Sequence, residues 1–243
     1  MTGDRRLLAL LAALCALAIN ACGKDDADPT ASATTTAAPA AKQDPGAFPD
    51  KPQILLRFAA RPEDWPAQVR KGGSEAGYAA GRYRLTGTGT AFRVALPRPI
   101  EPAARGVLLE TTLRLTRSGR AGLFCRGSED GRSGYELTVD RSGHWEITRV
   151  EDGVGKPVGD GEVGAEAVGG KSGDALVRLI CGAAEVGKPL SLGFTIGARE
   201  VEFVRDEQAL APASTSRVGL VVRTSAQAAA QASFEYFAAS LAE

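Results

Sequence analysis

From residue 53 onward, short apolar or alternating stretches recur at fairly even intervals, each closed by Gly, Ser, Asp or Pro. This is the pattern of a β-sandwich or barrel. It predicts strands over Ile54–Phe58, Tyr78–Leu85, Phe92–Leu96, Gly106–Leu115, Gly122–Cys125, Tyr135–Val139, Trp145–Val150, Ala175–Ile180, Leu190–Thr195, Glu200–Val204, Val218–Val222 and Ala232–Phe237. In Tyr135–Asp140, Tyr135, Leu137 and Val139 share one face and Glu136, Thr138 and Asp140 the other, so the strand is half buried. A turn at Ser142-Gly143 leads into Trp145, Ile147 and Arg149, alternating against Glu146, Thr148 and Val150, and completes a hairpin. Arg149 spoils the alternation, so the strand is expected to end near it. Helical signal is scarce: the alanines of 225–233 form too short and poorly capped a run, which reads as a loop entering a strand.

The first residues follow a different logic. Arg5 and Arg6 precede an uncharged apolar run from Leu7 to Ile19, which is shorter than the roughly 20 residues a bilayer span needs. It reads as a signal peptide over 1–21. Ile19-Asn20-Ala21-Cys22 resembles a bacterial lipobox, an aliphatic residue three places before an obligatory Cys and a small residue directly before it. The resemblance implies cleavage ahead of Cys22, diacylation of its thiol, and attachment to the outer face of the cell membrane. Cys15 is lost with the signal peptide. Residues 22–52, rich in Ala, Thr, Pro and Asp, lack aliphatic periodicity and read as a disordered linker. A flexible coil of that size would hold the following domain roughly 30 Å from its anchor.

The chain has 243 residues with 29 basic and 29 acidic side chains; losing Asp4, Arg5 and Arg6 with the signal peptide leaves 27 against 28. No basic block points to nucleic acid, no acidic tail to a cationic partner, and no repeat to a solenoid or propeller. The stretch from 53 to 243 is long enough for one well-buried core.

Several segments, taken in order, resemble the concanavalin A-like jelly roll, especially the laminin-G-like and keto-disaccharide-hydrolase-like modules of bacterial surface proteins. They are YAAGRYRLTGTG (78–89), LLETTLRL (108–115), AGLFCRGSEDGRSGYELTVDRSGHWEITRV (121–150), ALVRLICG (175–182), LSLGFTIGAREVEFVRD (190–206), SRVGLVVRTS (216–225) and ASFEYFAASL (232–241). Ile196-Gly197-Ala198 stands where such modules carry Asn-Gly at a hairpin tip. The resemblance implies an all-β jelly-roll sandwich over 53–243. It does not fix an activity.

Related modules place one Cys in the "CR" strand and one in the strand ending here as Ile180-Cys181-Gly182. With the signal peptide delivering both to a disulfide-permissive compartment, Cys125 and Cys181 are expected to be bonded. The rival is Cys125 as nucleophile with His144, the chain's sole histidine, as base. It lacks a third group to orient the imidazole. A zinc site is not supported by one histidine; calcium is left open, with Ser128–Gly131 or Asp206-Glu207 as oxygen donors. Glu202 and Asp206 lie on one face of a strand but about 13 Å apart, too far for a glycosidase pair. The E-x-D-x-x-E arrangement of retaining jelly-roll glucanases is absent. The glycine-rich stretch 152–174 ends in Gly170-Lys171-Ser172, yet lacks the leading glycine and the helix of a phosphate loop, and reads as a long surface loop.

For binding, Arg126, Tyr135 and Trp145 are the candidates, gathered around the "CR" strand and the hairpin after it. Trp145 and Trp65 are also natural core residues. The leading expectation is a lipid-anchored, non-catalytic module with a glycan or a surface protein as partner. A glycan-processing hydrolase and a structural surface protein without a small ligand are the alternatives.

Overall fold

The computed structural model describes residues 49, 51–101, 105–116, 118–170, 173–198, 202–211, 216–224 and 229–242. The signal segment, Cys22 and nearly all of the linker lie outside the described residues, as does 225–228 of the alanine-rich stretch. The strands are β1 (Ile54–Arg57), β2 (Gln68–Lys71), β3 (Ser74–Ala79), β4 (Arg82–Gly87), β5 (Ala91–Ala95), β6 (Val107–Leu115), β7 (Arg120–Gly127), β8 (Gly134–Val139), β9 (His144–Glu151), β10 (Val154–Glu162), β11 (Asp174–Cys181), β12 (Leu190–Ile196), β13 (Glu202–Asp206), β14 (Arg217–Arg223), β15 (Ala230–Phe234) and β16 (Tyr236–Leu241). A 3-10 turn covers Phe58–Ala60.

All pairings between these strands are antiparallel. The larger sheet runs β13-β12-β11-β6-β15-β4-β3-β2, with β16 bridging β6 and β1. The smaller runs β10-β9-β8-β7-β14-β5. Alternation places Leu123, Leu137, Ile147 and Leu220 of the smaller sheet in one core with Leu109, Leu113, Leu179, Phe194 and Phe234 of the larger. An aromatic group of Phe58, Trp65, Tyr78 and Tyr83 closes one end, with Phe58 and Trp65 edge to face at 5.3 Å.

Four expectations are corrected. Tyr78–Leu85 is two strands, because Ala80 and Gly81 both take positive φ (51° and 74°) and fold the chain back as the β3–β4 hairpin. Ala232–Phe237 is also two strands: β15 pairs with the C-terminal part of β6 and β16 with its N-terminal part, and Glu235 between them donates its N–H to Thr112 O. Arg149 does not end β9, which continues to Glu151; its side chain stays in the interior because a carboxylate waits there. The glycine-rich surface loop contains β10, an edge strand paired along β9 from His144 to Glu151. Its glycines answer to packing, since a Cβ on Gly161 would stand 2.8 Å from Trp145 Cζ2 and one on Gly159 3.0 Å from Val204.

Candidate functional site

The stretch Gly122–Gly127 is β7's C-terminal half, where the two sheets are tied together. Opposite Val218 of β14 the register slips: Arg217 pairs with Gly127 and Gly219 with Phe124, leaving Cys125 and Arg126 facing one residue. This is a β-bulge, and within it Arg126 takes a positive φ of 52°. Both side chains consequently cross the sandwich. Cys125 is bonded to Cys181 with Cα atoms 6.6 Å apart, and Arg126 Nη1 donates to Gly182 O at 3.2 Å. The bond removes Cys125 from any nucleophilic role. His144 instead has Nε2 3.8 Å from Asp160 Oδ2 on β10.

The three residues expected to touch a ligand are closed to solvent. Arg126 is 7% exposed, and burial pushes its guanidinium pKa down. Tyr135 faces the core, donates to Asp206 Oδ2 at 2.9 Å and accepts from Leu210 N at 2.9 Å; burial raises its phenol pKa. Trp145 packs on Phe194 of the opposite sheet at 4.4 Å. Strand alternation decides this: Tyr135, Leu137 and Val139 share the inner face, as do Trp145 and Ile147. These residues are corrected from candidate ligand contacts to core.

What faces outward on the smaller sheet is a charged layer. Glu136 of β8 is 1% exposed, with one carboxylate oxygen accepting from Arg93 Nε of β5 and the other from Arg223 Nε of β14. Beside it, Glu146 of β9 accepts from Arg120 of β7 and from Thr148 Oγ1 at 2.6 Å. Burial works to raise the Glu146 carboxyl, but the bonds from Thr148 and Arg120 and the charges of Arg120 and Arg223 hold it below the usual carboxylate range. Arg93 and Glu136 are three strands apart, about 14 Å on a flat sheet. Their direct contact therefore requires the sheet to curl toward this face. Phe124, Thr138, Thr148 and Val221 are buried on the same face, beneath arginine stems that cross it.

The layer is open at its β5 end. A groove of about 600 Å³ lies there, between the turns around Gly72 and Gly89 and the loop from Gly127 to Ser133. Phe92, Phe124, Lys71, Arg93, Asp130 and Arg217 are among the residues that line it. Arg93 Nη1 donates to Gly131 O at 3.1 Å and pins the loop. Arg217 Nη1 donates to the carbonyls of Leu96 and Pro97. A larger depression of about 800 Å³ lies between Arg61–Gln68 and Tyr78. The smaller groove is the stronger candidate because it adjoins the bridged end of β7 and the Arg–Glu layer.

Of the oxygens considered for calcium, Asp130 Oδ1, both of Asp206 and Glu207 Oε1 are engaged. Asp130 Oδ1 accepts from Ser128 Oγ at 2.5 Å and Arg132 N at 2.9 Å. Asp206 accepts from Arg149 through both oxygens, and Glu207 pairs with Arg205. Among the described residues, no group of three or more His, Cys, Asp or Glu side chains is placed to hold a metal.

Sequence reading missed Glu136, Arg93, Arg217 and Arg223. The signal was present as isolated charges within apolar strands, Phe92-Arg93-Val94, Tyr135-Glu136-Leu137 and Val221-Val222-Arg223.

No protein-family profile matches the chain, and no curated protein is similar to it in sequence. Solved structures are similar in fold. Carbohydrate-binding module CBM66 from Bacillus subtilis superposes with a TM-score of 0.54 at 12% identity, over 73% of this chain and 97% of that one. Lectin I-B4 from Griffonia simplicifolia, in its metal-free form, gives 0.51 at 14% identity, over 77% and 98%. The beta-glucanase of Bacillus licheniformis gives 0.51 at 9% identity, over 79% and 99%. The domain is a jelly-roll β-sandwich. At these identities the likeness concerns fold, and function has to be argued from the site.

Proposed function

We propose that the chain is a non-catalytic glycan-binding module, held at the outer face of the cell membrane through a lipid on Cys22. The observation that carries the binding reading is the groove at the β5 end of the arginine–carboxylate layer. It offers hydroxyls, amides and guanidiniums fixed by the loop 127–133 and by a strand end that the disulfide ties to the other sheet. Such preset polar groups suit a polyhydroxylated ligand. Proteins named as a carbohydrate-binding module and a lectin share the fold, which supports the reading without deciding it. A glycan-processing hydrolase fits less well, because Glu146 is held below the usual carboxylate range whereas a general acid needs the opposite. A structural surface protein is the second reading. It is favoured by the burial of Glu136, which fills the middle of the face.

The test is calorimetric titration of the purified full chain with a panel of neutral and acidic oligosaccharides, each recovered afterwards. Binding of at least one, lost about tenfold or more in Arg93→Ala, with the sugar recovered intact, supports the module. Absence of binding across the panel overturns it in favour of the structural reading. The anchor is tested separately, by radiolabelled palmitate incorporated into the wild-type chain and absent from Cys22→Ala.

A further inference from the structure

We infer that the groove selects an anionic saccharide, one carrying a carboxylate or sulfate, an inference that rests on the glycan-binding reading above. The argument is one of local charge. Arg93 and Arg223 both bond Glu136, Arg120 bonds Glu146, and Arg223 also acts on Glu146, so three arginines of the layer stand against two carboxylates. Arg217 lines the groove and donates to the carbonyls of Leu96 and Pro97, its buried Nε has no partner, and among the described residues no carboxylate pairs with its charge. Lys71 adds a further cation to the lining.

The acids at the groove are Glu129, exposed at the rim, and Asp130. Asp130 is turned into its own loop, where Oδ1 accepts from Ser128 Oγ and Arg132 N. Three cations (Lys71, Arg93, Arg217) thus line the groove against two carboxylates (Glu129, Asp130), and Glu136, which Arg93 bonds, is shared with Arg223 outside the lining. A planar guanidinium matches a carboxylate or sulfate through paired N–H donors, and such charge-assisted bonds are roughly twice as strong as neutral ones. A neutral sugar can accept the same N–H groups but leaves the surplus charge uncompensated.

The probes are oligogalacturonides, the same oligomers fully methyl-esterified, and a neutral panel of galactan, fructan and xylan oligomers, titrated into the full chain. At about 10 mM ionic strength, where screening is weak, the acid form should bind at least tenfold tighter than the ester, and the advantage should shrink as salt is raised. Lys71→Gln, at an exposed position, should narrow the preference without changing the thermal unfolding midpoint, and Arg217→Gln should narrow it further. Equal or tighter binding of the ester, or binding of neutral oligomers alone, overturns the charge inference and leaves the glycan reading standing. Binding of none of the probes overturns both.

Discussion

The Arg149 guanidinium meets the Asp206 carboxylate at 2.8 Å, with their side chains only 7% and 6% exposed. One partner lies on β9 of the smaller sheet and the other at the end of β13 in the larger, so the pair crosses the sandwich. Arg149 also donates to Gln208 Oε1, and Asp206 Oδ1 accepts from Gln208 N. Through these bonds of Nη1 and Nη2, with the buried Nε left without a partner, the pair fixes the chain after β13 against β8 and β9. Removing one partner strands the other, at a cost of about 3–5 kcal/mol, whereas replacing both with apolar residues of similar volume restores much of it. Arg149→Met should therefore lower the urea midpoint strongly, and Arg149→Met with Asp206→Leu should recover most of the loss. Additive losses in the double variant would contradict this.

The Cys125–Cys181 bond closes a loop spanning 56 positions in sequence. Constraining the unfolded chain over that length contributes about 4 kcal/mol in the loop-entropy model. Non-reduced protein should show no thiol at either position by mass spectrometry after alkylation. Cys125→Ala with Cys181→Ala should unfold at lower denaturant by about that amount.

The same bridge shows what was legible in the sequence. Its two cysteines sit at strand ends whose apolar alternation was plain, and the β8–β9 hairpin was equally plain from Tyr135 to Ile147. Alternation reports which residues face inward, so it also held the answer for Tyr135 and Trp145, whose rings lie in the core. What it could not supply was position across the sheet. Arg93 and Glu136 lie 43 positions apart and meet only because β14 inserts between β5 and β7, a pairing no local pattern encodes. β10 was hidden for another reason: as an edge strand built on glycines under Trp145 and Val204, it has almost no apolar side chains to alternate.

That packing is testable at Gly161. A Cβ there would stand 2.8 Å from Cζ2 of Trp145, a ring already wedged against Phe194. Overpacking of this kind costs about 1–3 kcal/mol. Gly161→Ala should lower the thermal midpoint and shift Trp145 fluorescence, whereas Gly153→Ala, with no atom within 4 Å of its Cβ but a φ of 84°, should lower stability without the spectral change.

Acid should weaken the smaller sheet through Asp140 and Glu146. Burial works to raise each carboxyl, but hydrogen bonds outweigh it: Ser142 and the N–H groups of Ser142 and His144 hold Asp140 low, and Thr148 and Arg120 hold Glu146 low. A carboxyl with a folded pKa below its unfolded value contributes stability that is complete above the unfolded value, about 4, and is lost as pH falls through the folded one. Urea midpoints should stay level from pH 7 to about 5 and then decline. Asp140→Asn should start lower at neutral pH and decline less steeply, and an unchanged acid slope would count against Asp140 as a source of the decline.

The charged layer also makes a prediction about chemistry. Glu136 and Glu146 lie on one face of adjacent strands at diagonal positions, since Glu136 registers with Thr148 and Glu146 with Thr138. Diagonal neighbours are about 7–8 Å apart, within the range inverting enzymes use. Geometry alone would allow hydrolysis, but protonation opposes it. A general acid must carry a proton near neutral pH to serve the leaving oxygen, whereas Thr148 and Arg120 hold Glu146 below the usual carboxylate range; both oxygens of Glu136 are already taken by arginines. Prolonged incubation of the full chain with any oligosaccharide it binds should release no new reducing ends, and Glu146→Gln should leave that result unchanged. Turnover lost in Glu146→Gln would identify the layer as catalytic and overturn the binding-module reading.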